Sequence, residues 1–430
     1  MRREYEPLIY DVFEGTLSSP ATGGLSDLCS RLLADQDKTW KELAQAYEAL
    51  ETTQVRDIAC SGYTVRLQHN RRRKTSTFAA VGVNDVKDRP CFLCAGHLPD
   101  GQQAILYRND YLILANPMPV FPGHLTIAHR EHRPQTILGH AEAFVRLIAD
   151  LGPEWIVLYN GPRCGASAPD HLHFQAIPAG QTPIESELDE TRLTTGEGRD
   201  GTGLHTLRGI GRLVIVIDGD KPASLLSVFE NQMNRLSGSM PDGREPMVNV
   251  AGFITDRGWR ILLFPRRKHR PDAFFREGTD RIAVSPAVVE MMGVIVTPVE
   301  KDFQRLDAPA IEDIYREVSA GTGSPAHTPS PIPTLLPAAT SLTTNRHETY
   351  HDSMSKEGNF DLKRGYCINC DNKHGCKTKN PPCIIEMAKA NISGASGKSY
   401  LVKTGHTDLC RNCPFFRSCW KEEEYSGMVG

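Results

Sequence analysis

The period of the apolar positions changes repeatedly along the chain, and each change marks an element. Leu28, Leu32, Leu33, Trp40, Leu43 and Tyr47 recur at near-helical spacing and predict a helix over residues 25–50. Residues 62–68 alternate as a half-buried strand does. Residues 111–116 and 125–128 read as paired strands around a Pro-rich turn. Residues 136–151 read as an amphipathic helix stopped at Gly152-Pro153. The apolar run 155–158 and the alternation Leu172, Phe174, Ala176 complete a strand–strand–helix–strand–strand order. A second stretch echoes it: a strand at 213–217, a helix at 222–236, and strands at 248–253 and 259–264. His-Arg-Pro occurs in both stretches, at 132–134 and 269–271. Residues 311–319 read as a last short helix. The expected fold is therefore α+β, with two duplicated halves (about 60–200 and 205–320), antiparallel sheets and flanking helices.

Beyond residue 320 the pattern stops. Residues 321–355 are rich in Pro, Ser, Thr and Gly, too poor in apolar groups to fold, and read as a linker. Residues 356–430 hold seven of the chain's 12 cysteines. Composition narrows the function classes. The 430 residues are 40% apolar, enough for a sizeable core, and the net charge of −3 gives no basic field for nucleic acid. No apolar run approaches the roughly 18 residues of a membrane span, and residues 1–13 lack the apolar core of a secretory signal. A cytoplasmic location is expected, where clustered thiols favour metal over disulfides.

Candidate chemistry concentrates at Asp170-His171-Leu172-His173-Phe174-Gln175. On a strand, residues two apart share a face, so His171, His173 and Gln175 would line one polar face with Leu172 and Phe174 buried behind. Imidazoles and an amide so placed suit nucleophilic catalysis at phosphorus. Tyr159-Asn160-Gly161-Pro162 closes the preceding strand, and the turn between would deliver Asn160, Ser167 and His173 to one place. Gly161 and Gly165 leave backbone amides free to face an anion. The run Arg71-Arg72-Arg73-Lys74, followed by Thr75 and Ser76, reads as a solvated turn or as a phosphate clamp; in the second case Arg73 and Ser76 are the candidates.

The stretch Asp170–Ala176 resembles the active-site strand of the histidine-triad superfamily, specifically the transferase branch in which the motif ends in Gln. That branch includes galactose-1-phosphate uridylyltransferase, diadenosine tetraphosphate phosphorylase and the GDP-hexose phosphorylases. The wording Asp-His-Leu-His-Phe-Gln-Ala is closest to the last. Cys91-Phe92-Leu93-Cys94 resembles the zinc-binding pair of the uridylyltransferases, and Pro122-Gly123-His124-Leu125-Thr126-Ile127, followed by His132, resembles the strand before a structural histidine. The whole chain also resembles an uncharacterised bacterial domain family related to these enzymes. Asp170 departs from the pattern, as an insertion before His171.

The resemblance implies two histidine-triad-like halves, the second catalytically silent. Arg266, Arg267, Lys268 and His269 would supply base or sugar contacts from that half, or form a surface run. It implies a nucleotidyltransferase or phosphorylase acting on a nucleotide-sugar or dinucleoside polyphosphate, with phosphate or a sugar phosphate as acceptor. His173 would attack the α-phosphorus, Gln175 and Ser167 would hold the non-bridging oxygens, and Asn160 would position the nucleophile or the ribose. Arg73, Ser76, Gly165 and Ala166 would bind the substrate. The alternatives are a histidine-triad nucleotide hydrolase and a non-catalytic nucleotide-binding metal or redox sensor.

Two metal sites are expected. Cys91, Cys94, His132 and His171 would form a closed, structural Cys2His2 zinc site, with His97, His124 and His129 as other possible ligands; two buried thiols beside a turn are the alternative. His124 could instead be a core residue whose ring meets a backbone carbonyl. In the tail, Cys367-x2-Cys370-x5-Cys376 recurs as Cys410-x2-Cys413-x5-Cys419, with Cys383 between. Paired thiolates at this spacing hold either zinc or an iron–sulfur cluster, and the scarcity of histidines leans toward iron–sulfur.

Overall fold

Alternation along the strands decides the architecture, because successive residues enter two different cores. In the computed structural model of the chain, residues 8–15, 24–79, 89–196, 198, 200–238 and 244–321 are described. The chain divides into two units, Met1–Leu335 and Leu336–Gly430, and all described residues belong to the first. The seven tail cysteines (Cys367, Cys370, Cys376, Cys383, Cys410, Cys413, Cys419) and their metal, and the linker beyond Gly321, lie outside the described residues.

The strands are β1 (Ile9–Phe13), β2 (Gln54–Ala59), β3 (Thr64–His69), β4 (Ala104–Tyr107), β5 (Tyr111–Ala115), β6 (Leu125–His129), β7 (Trp155–Asn160), β8 (His173–Pro178), β9 (Leu193–Thr195), β10 (Gly203–Leu207), β11 (Val214–Gly219), β12 (Val248–Thr255), β13 (Gly258–Pro265) and β14 (Val294–Thr297). The longer helices are α1 (Leu25–Thr39), α2 (Lys41–Glu51), α3 (Ala141–Leu151), α4 (Pro222–Ser237) and α5 (Ala308–Val318). An 11-stranded sheet runs β1-β4-β5-β6-β8-β7-β12-β13-β11-β10-β9, and a small sheet runs β14-β3-β2. Outward from the antiparallel β7·β12 pair, the order is β8-β6-β5-β4 on one side and β13-β11-β10-β9 on the other. In sequence α3 joins β6 to β7, and α4 joins β11 to β12. Residues 104–178 and 193–265 thus share one continuous sheet. It is antiparallel except at its β1·β4 edge, and the small sheet also holds one parallel pair, β14·β3.

One face of the large sheet packs on α1, α3 and α4 through Trp155, Val157, Tyr159, Leu172 and Phe174. The intervening Ile156, Leu158 and Ile177 enter a second core with β3, β14 and α5. A smaller cluster on that second face, Cys91, Leu93, Leu112, Leu114, Ala128 and Ala168, seats the Cys91–Cys94 turn. Ala128 is the cross-strand neighbour of His173, and Leu158 that of Gln175. His173 and Gln175 therefore occupy the seam between the two coverings of this face.

The sequence reading differs at three elements. The helix expected over 25–50 is two helices, because Trp40 turns to extended geometry (φ −115°, ψ 102°) and buries its ring. The helix expected from 136 starts at Ala141. Residues 136–138 are drawn instead to the buried Glu245 carboxylate, which accepts from Thr136 Oγ1 at 2.7 Å and Ile137 N at 2.6 Å. The strand expected to carry His171 begins only at His173, so His171 does not share the face of His173 and Gln175.

Candidate active site and metal centre

β7 and β8 form a wide antiparallel hairpin whose loop, residues 161–172, carries the small-residue turn. Gly165 has φ +108°, and a Cβ there would sit 2.6 Å from the Ala287 Cβ, so both conformation and space require glycine. A Cβ on Gly161 would lie 2.7 Å from the Val248 main-chain oxygen.

His173 is 4% exposed. Its Nδ1 lies 2.8 Å from the main-chain oxygen of His171. A carbonyl can only accept, so Nδ1 carries the proton and Nε2 keeps its lone pair. Burial, ahead of any neighbour, pulls this imidazole down to about 4, so the neutral ring prevails at neutral pH. Its backbone is gripped by a residue that the sequence reading missed. The buried Gln135 accepts from His173 N at 2.8 Å and donates to His173 O at 3.0 Å and Asn160 O at 2.9 Å. Gln135 lies in no motif; its only sequence signal is a polar residue between Pro134 and an apolar run. Asn160 is buried as well, its Oδ1 accepting from Asn249 Nδ2 and Val288 N, both at 2.8 Å. Asn249, also missed, is held in turn by Arg266 at 2.5 Å.

A cleft beside this seam is lined by Arg73, Ser76, Gly165, Ala166 and Ser167, five of the residues singled out from sequence. Arg270, His269, Ser285 and Glu290 join them from the second half. The lining does not include His173, Gln175 or Asn160. Arg73 nevertheless acts on buried His124, which neighbours Gln175. Arg73 Nη1 donates to Met118 O at 2.8 Å, and its acidity reflects burial opposed by Glu290. Of the run 266–269, only His269 lines the cleft. Arg266 is 4% exposed and spent on main-chain oxygens and Asn249, so neither the surface reading nor a base contact fits it. Arg267 donates to Glu317 O, and Lys268 pairs with Glu317 and Asp272. The rest of the basic run at 71–74 divides: Arg71 pairs with Glu300 at 2.9 Å, while Arg72 Nη1 donates to Gln45 O at 3.4 Å.

Cys91, Cys94, His132 and His171 come together with their ligand atoms all within 4.8 Å of one another. Cys91 Sγ is 3.2 Å and Cys94 Sγ 3.6 Å from His171 Nδ1, and Cys94 Sγ is 3.3 Å from His132 Nδ1. Around a tetrahedral ion with zinc-type bond lengths, a sulfur and a nitrogen stand about 3.6 Å apart. The set therefore fits a metal ion. His171 donates Nε2–H to His129 O at 2.7 Å, which leaves Nδ1 for the ion. The other possible ligands are used elsewhere. His97 Nδ1 contacts Cys91 O, and His129 offers its carbonyl. His124 Nδ1 accepts from the Val120 amide at 3.2 Å, so its ring meets a backbone N–H and not the expected carbonyl. Asp170 lies with one oxygen 3.8 Å from His132 Nε2 and the other 3.8 Å from Arg89.

No helix among the described residues is long and apolar enough to cross a membrane. Residues 32–178 match the family model described as a domain of unknown function, DUF4922, and residues 247–324 match the GDPGP1-like C-terminal domain. No curated protein sequence matches the chain. Among solved structures, yeast Ap4A phosphorylase Apa2 with AMP is 15% identical, covering 69% of this chain and 97% of its own at a TM-score of 0.46. The same enzyme with Ap4A is 12% identical, covering 68% and 97%, at 0.45. A DUF4931 family protein from Bacillus cereus is 11% identical, covering 39% and 86%, at 0.29. The chain's matched families thus lie in two separate segments, the second of them a GDPGP1-like C-terminal domain.

Proposed function

We propose that the chain is a nucleotidyltransferase of the phosphorylase type, acting on a nucleotide-sugar or dinucleoside polyphosphate. The observation that carries the reading is the His173 ring, held by its Nδ1–H on the His171 carbonyl with Nε2 left as a nucleophile. The match of residues 247–324 to the GDPGP1-like C-terminal domain supports a nucleotide-handling transferase or phosphorylase. Two displacements follow. His173 Nε2 forms a bond to the α-phosphorus, the phosphoanhydride bond breaks, and the sugar phosphate or nucleotide leaves with the electron pair. A phosphate oxygen then attacks the nucleotidyl-histidine, the P–N bond breaks, and the pair returns to Nε2. The released product is a nucleoside diphosphate when phosphate is the acceptor; a sugar phosphate in its place would regenerate a nucleotide-sugar.

Gln175 and Ser167 hold the non-bridging oxygens as charge moves. Asn160, fixed by Asn249 and Val288, keeps the end of β7 in register with the nucleophile. Arg73, Ser76, Gly165 and Ala166 hold the departing phosphoryl groups in the cleft. We assign zinc to the Cys91, Cys94, His132 and His171 site, where four protein ligands leave no open position and make the ion structural. We also read the matching strand order of the halves as an internal duplication with one silent copy, the cysteine-rich tail as a separate module for iron–sulfur or zinc, and the cytoplasm as the site of action.

The test is product formation from a panel of nucleotide-sugars and dinucleoside polyphosphates, with and without phosphate. Phosphate-dependent release of a nucleoside diphosphate, absent in His173→Ala, is expected. Equal turnover without phosphate would replace the phosphorylase with a hydrolase, and equal turnover by the variant would remove His173 from the chemistry.

A further inference from the structure

On the opposite face of the large sheet, against α3, lies a second cleft of about 230 Å³ to which the chemistry above assigns nothing. Tyr111 and His129, cross-strand neighbours on β5 and β6, form its floor. Tyr111 is 4% exposed, and its hydroxyl has no hydrogen-bond partner among the described residues. His129 is 7% exposed; its Nδ1 lies 3.0 Å from both the Glu131 amide nitrogen and the Glu131 carbonyl oxygen, and its Nε2 has no hydrogen-bond partner among the described residues. The Tyr111 hydroxyl and His129 Nε2, unpartnered and not sealed from solvent, are open to a ligand in the cleft.

The wall adds further donors. α3 begins here at Ala141, and its N-cap residue His140 provides no side-chain cap, so the amides of its first turn have no capping side chain at the positive end of the helix. Arg133 and Arg146 complete the rim. Both are paired, Arg133 with Glu131 and Arg146 with Glu142, and Asp110 and Glu142 also line the cleft. The arginines are nearly half exposed and their carboxylates more so, and pairs of that kind hold weakly enough to exchange partners for a dianion.

We propose that this cleft is a second binding site for a phosphoryl group, carried by a small phosphorylated molecule and separate from the cleft at Arg73. It stands directly behind the nucleophile segment. His129 O accepts from the His171 ring, and Arg133 O accepts from Leu172 N at 2.6 Å. A ligand here therefore bears on the backbone that presents His173 without touching the reacting atoms.

Inorganic phosphate is the probe, titrated calorimetrically into the full chain for wild type, Tyr111→Phe, Arg146→Glu and His173→Asn. Wild type is expected to show a class of phosphate site that belongs to this cleft, whether or not the cleft at Arg73 supplies another. Arg146→Glu should weaken one class by about ten-fold or more, the loss of a charge-assisted contact, and Tyr111→Phe should weaken the same class by less. His173→Asn should retain that class. Both affected variants keep the core intact, which an unchanged far-ultraviolet spectrum checks. Identical isotherms in all four proteins, or a single class that survives Arg146→Glu, would overturn the proposal. The readout is binding, so it stands whether or not the phosphorylase reading does.

Discussion

Gln135 stands outside every motif, yet its carboxamide bridges β7 and β8, taking the His173 amide and giving to the His173 and Asn160 carbonyls. Gln135→Leu removes all of these and leaves buried main-chain groups unpaired, at about 1–3 kcal/mol each. It should lower kcat with little change in KM, whereas Gln135→Glu, which still accepts from His173 N, should recover part of the rate. Equal losses in both variants would reduce Gln135 to packing. Asp170 directly precedes His171, and it stands between His132 Nε2 and Arg89, 3.8 Å from each. A metal-bound imidazole commonly gives its other N–H to a carboxylate, and losing that partner costs about 10–100-fold in affinity. Asp170→Asn protein loaded with zinc should therefore release it faster to a competing chelator, while retaining the Cys2His2 cluster. An unchanged release rate would remove Asp170 from the site.

Elements with a clear period were legible, because the central strands place alternate residues in two separate cores. The hairpin of β7 and β8, the pair β12 and β13, and α4 fall within a residue or two of their expected bounds. What was lost depends on distant partners. β14 is a short apolar run after Gly293, and its parallel pairing with β3 spans more than two hundred residues. The late start of α3 comes from Glu245, about a hundred positions away. The clustering of Cys91, Cys94, His132 and His171 was legible as a Cys-x2-Cys pair with two histidines, since that spacing has a chemical reason. His171 was misplaced on the strand because a two-residue period does not say where pairing begins. The loop between β7 and β8 gives a test at this scale. Gly165→Ala adds a Cβ against Ala287 at positive φ, so the loop must shift by enough to cost about 1–3 kcal/mol. A lower unfolding midpoint together with loss of turnover is expected, and an unaltered midpoint would show that the loop yields freely.

At the scale of the whole described unit, residues 104–178 and 193–265 meet in one sheet at β7·β12, and Asn160, Asn249 and Arg266 are linked by hydrogen bonds at that joint. Burial of His124 predicts that stability falls in acid. His124 is held down to about 3, first by burial and then by Arg73. Below its ordinary pKa of roughly 6.5, the unfolded chain binds a proton that the folded chain refuses, so stability falls as pH falls toward that lower value. Between pH 7 and 5.5, His124 alone should account for about 1 kcal/mol of lost stability. Urea unfolding should show a correspondingly shallower pH dependence in His124→Gln, and an equal slope would mean that His124 is protonated when folded.

The central claim is a covalent nucleotidyl-His173, and intact-mass measurement on protein mixed with donor but no acceptor tests it most directly. The account predicts a gain of one nucleoside monophosphate, located to His173, labile to acid, and discharged by phosphate as nucleoside diphosphate appears. Turnover with no such adduct, or an adduct that persists in His173→Ala, would contradict it.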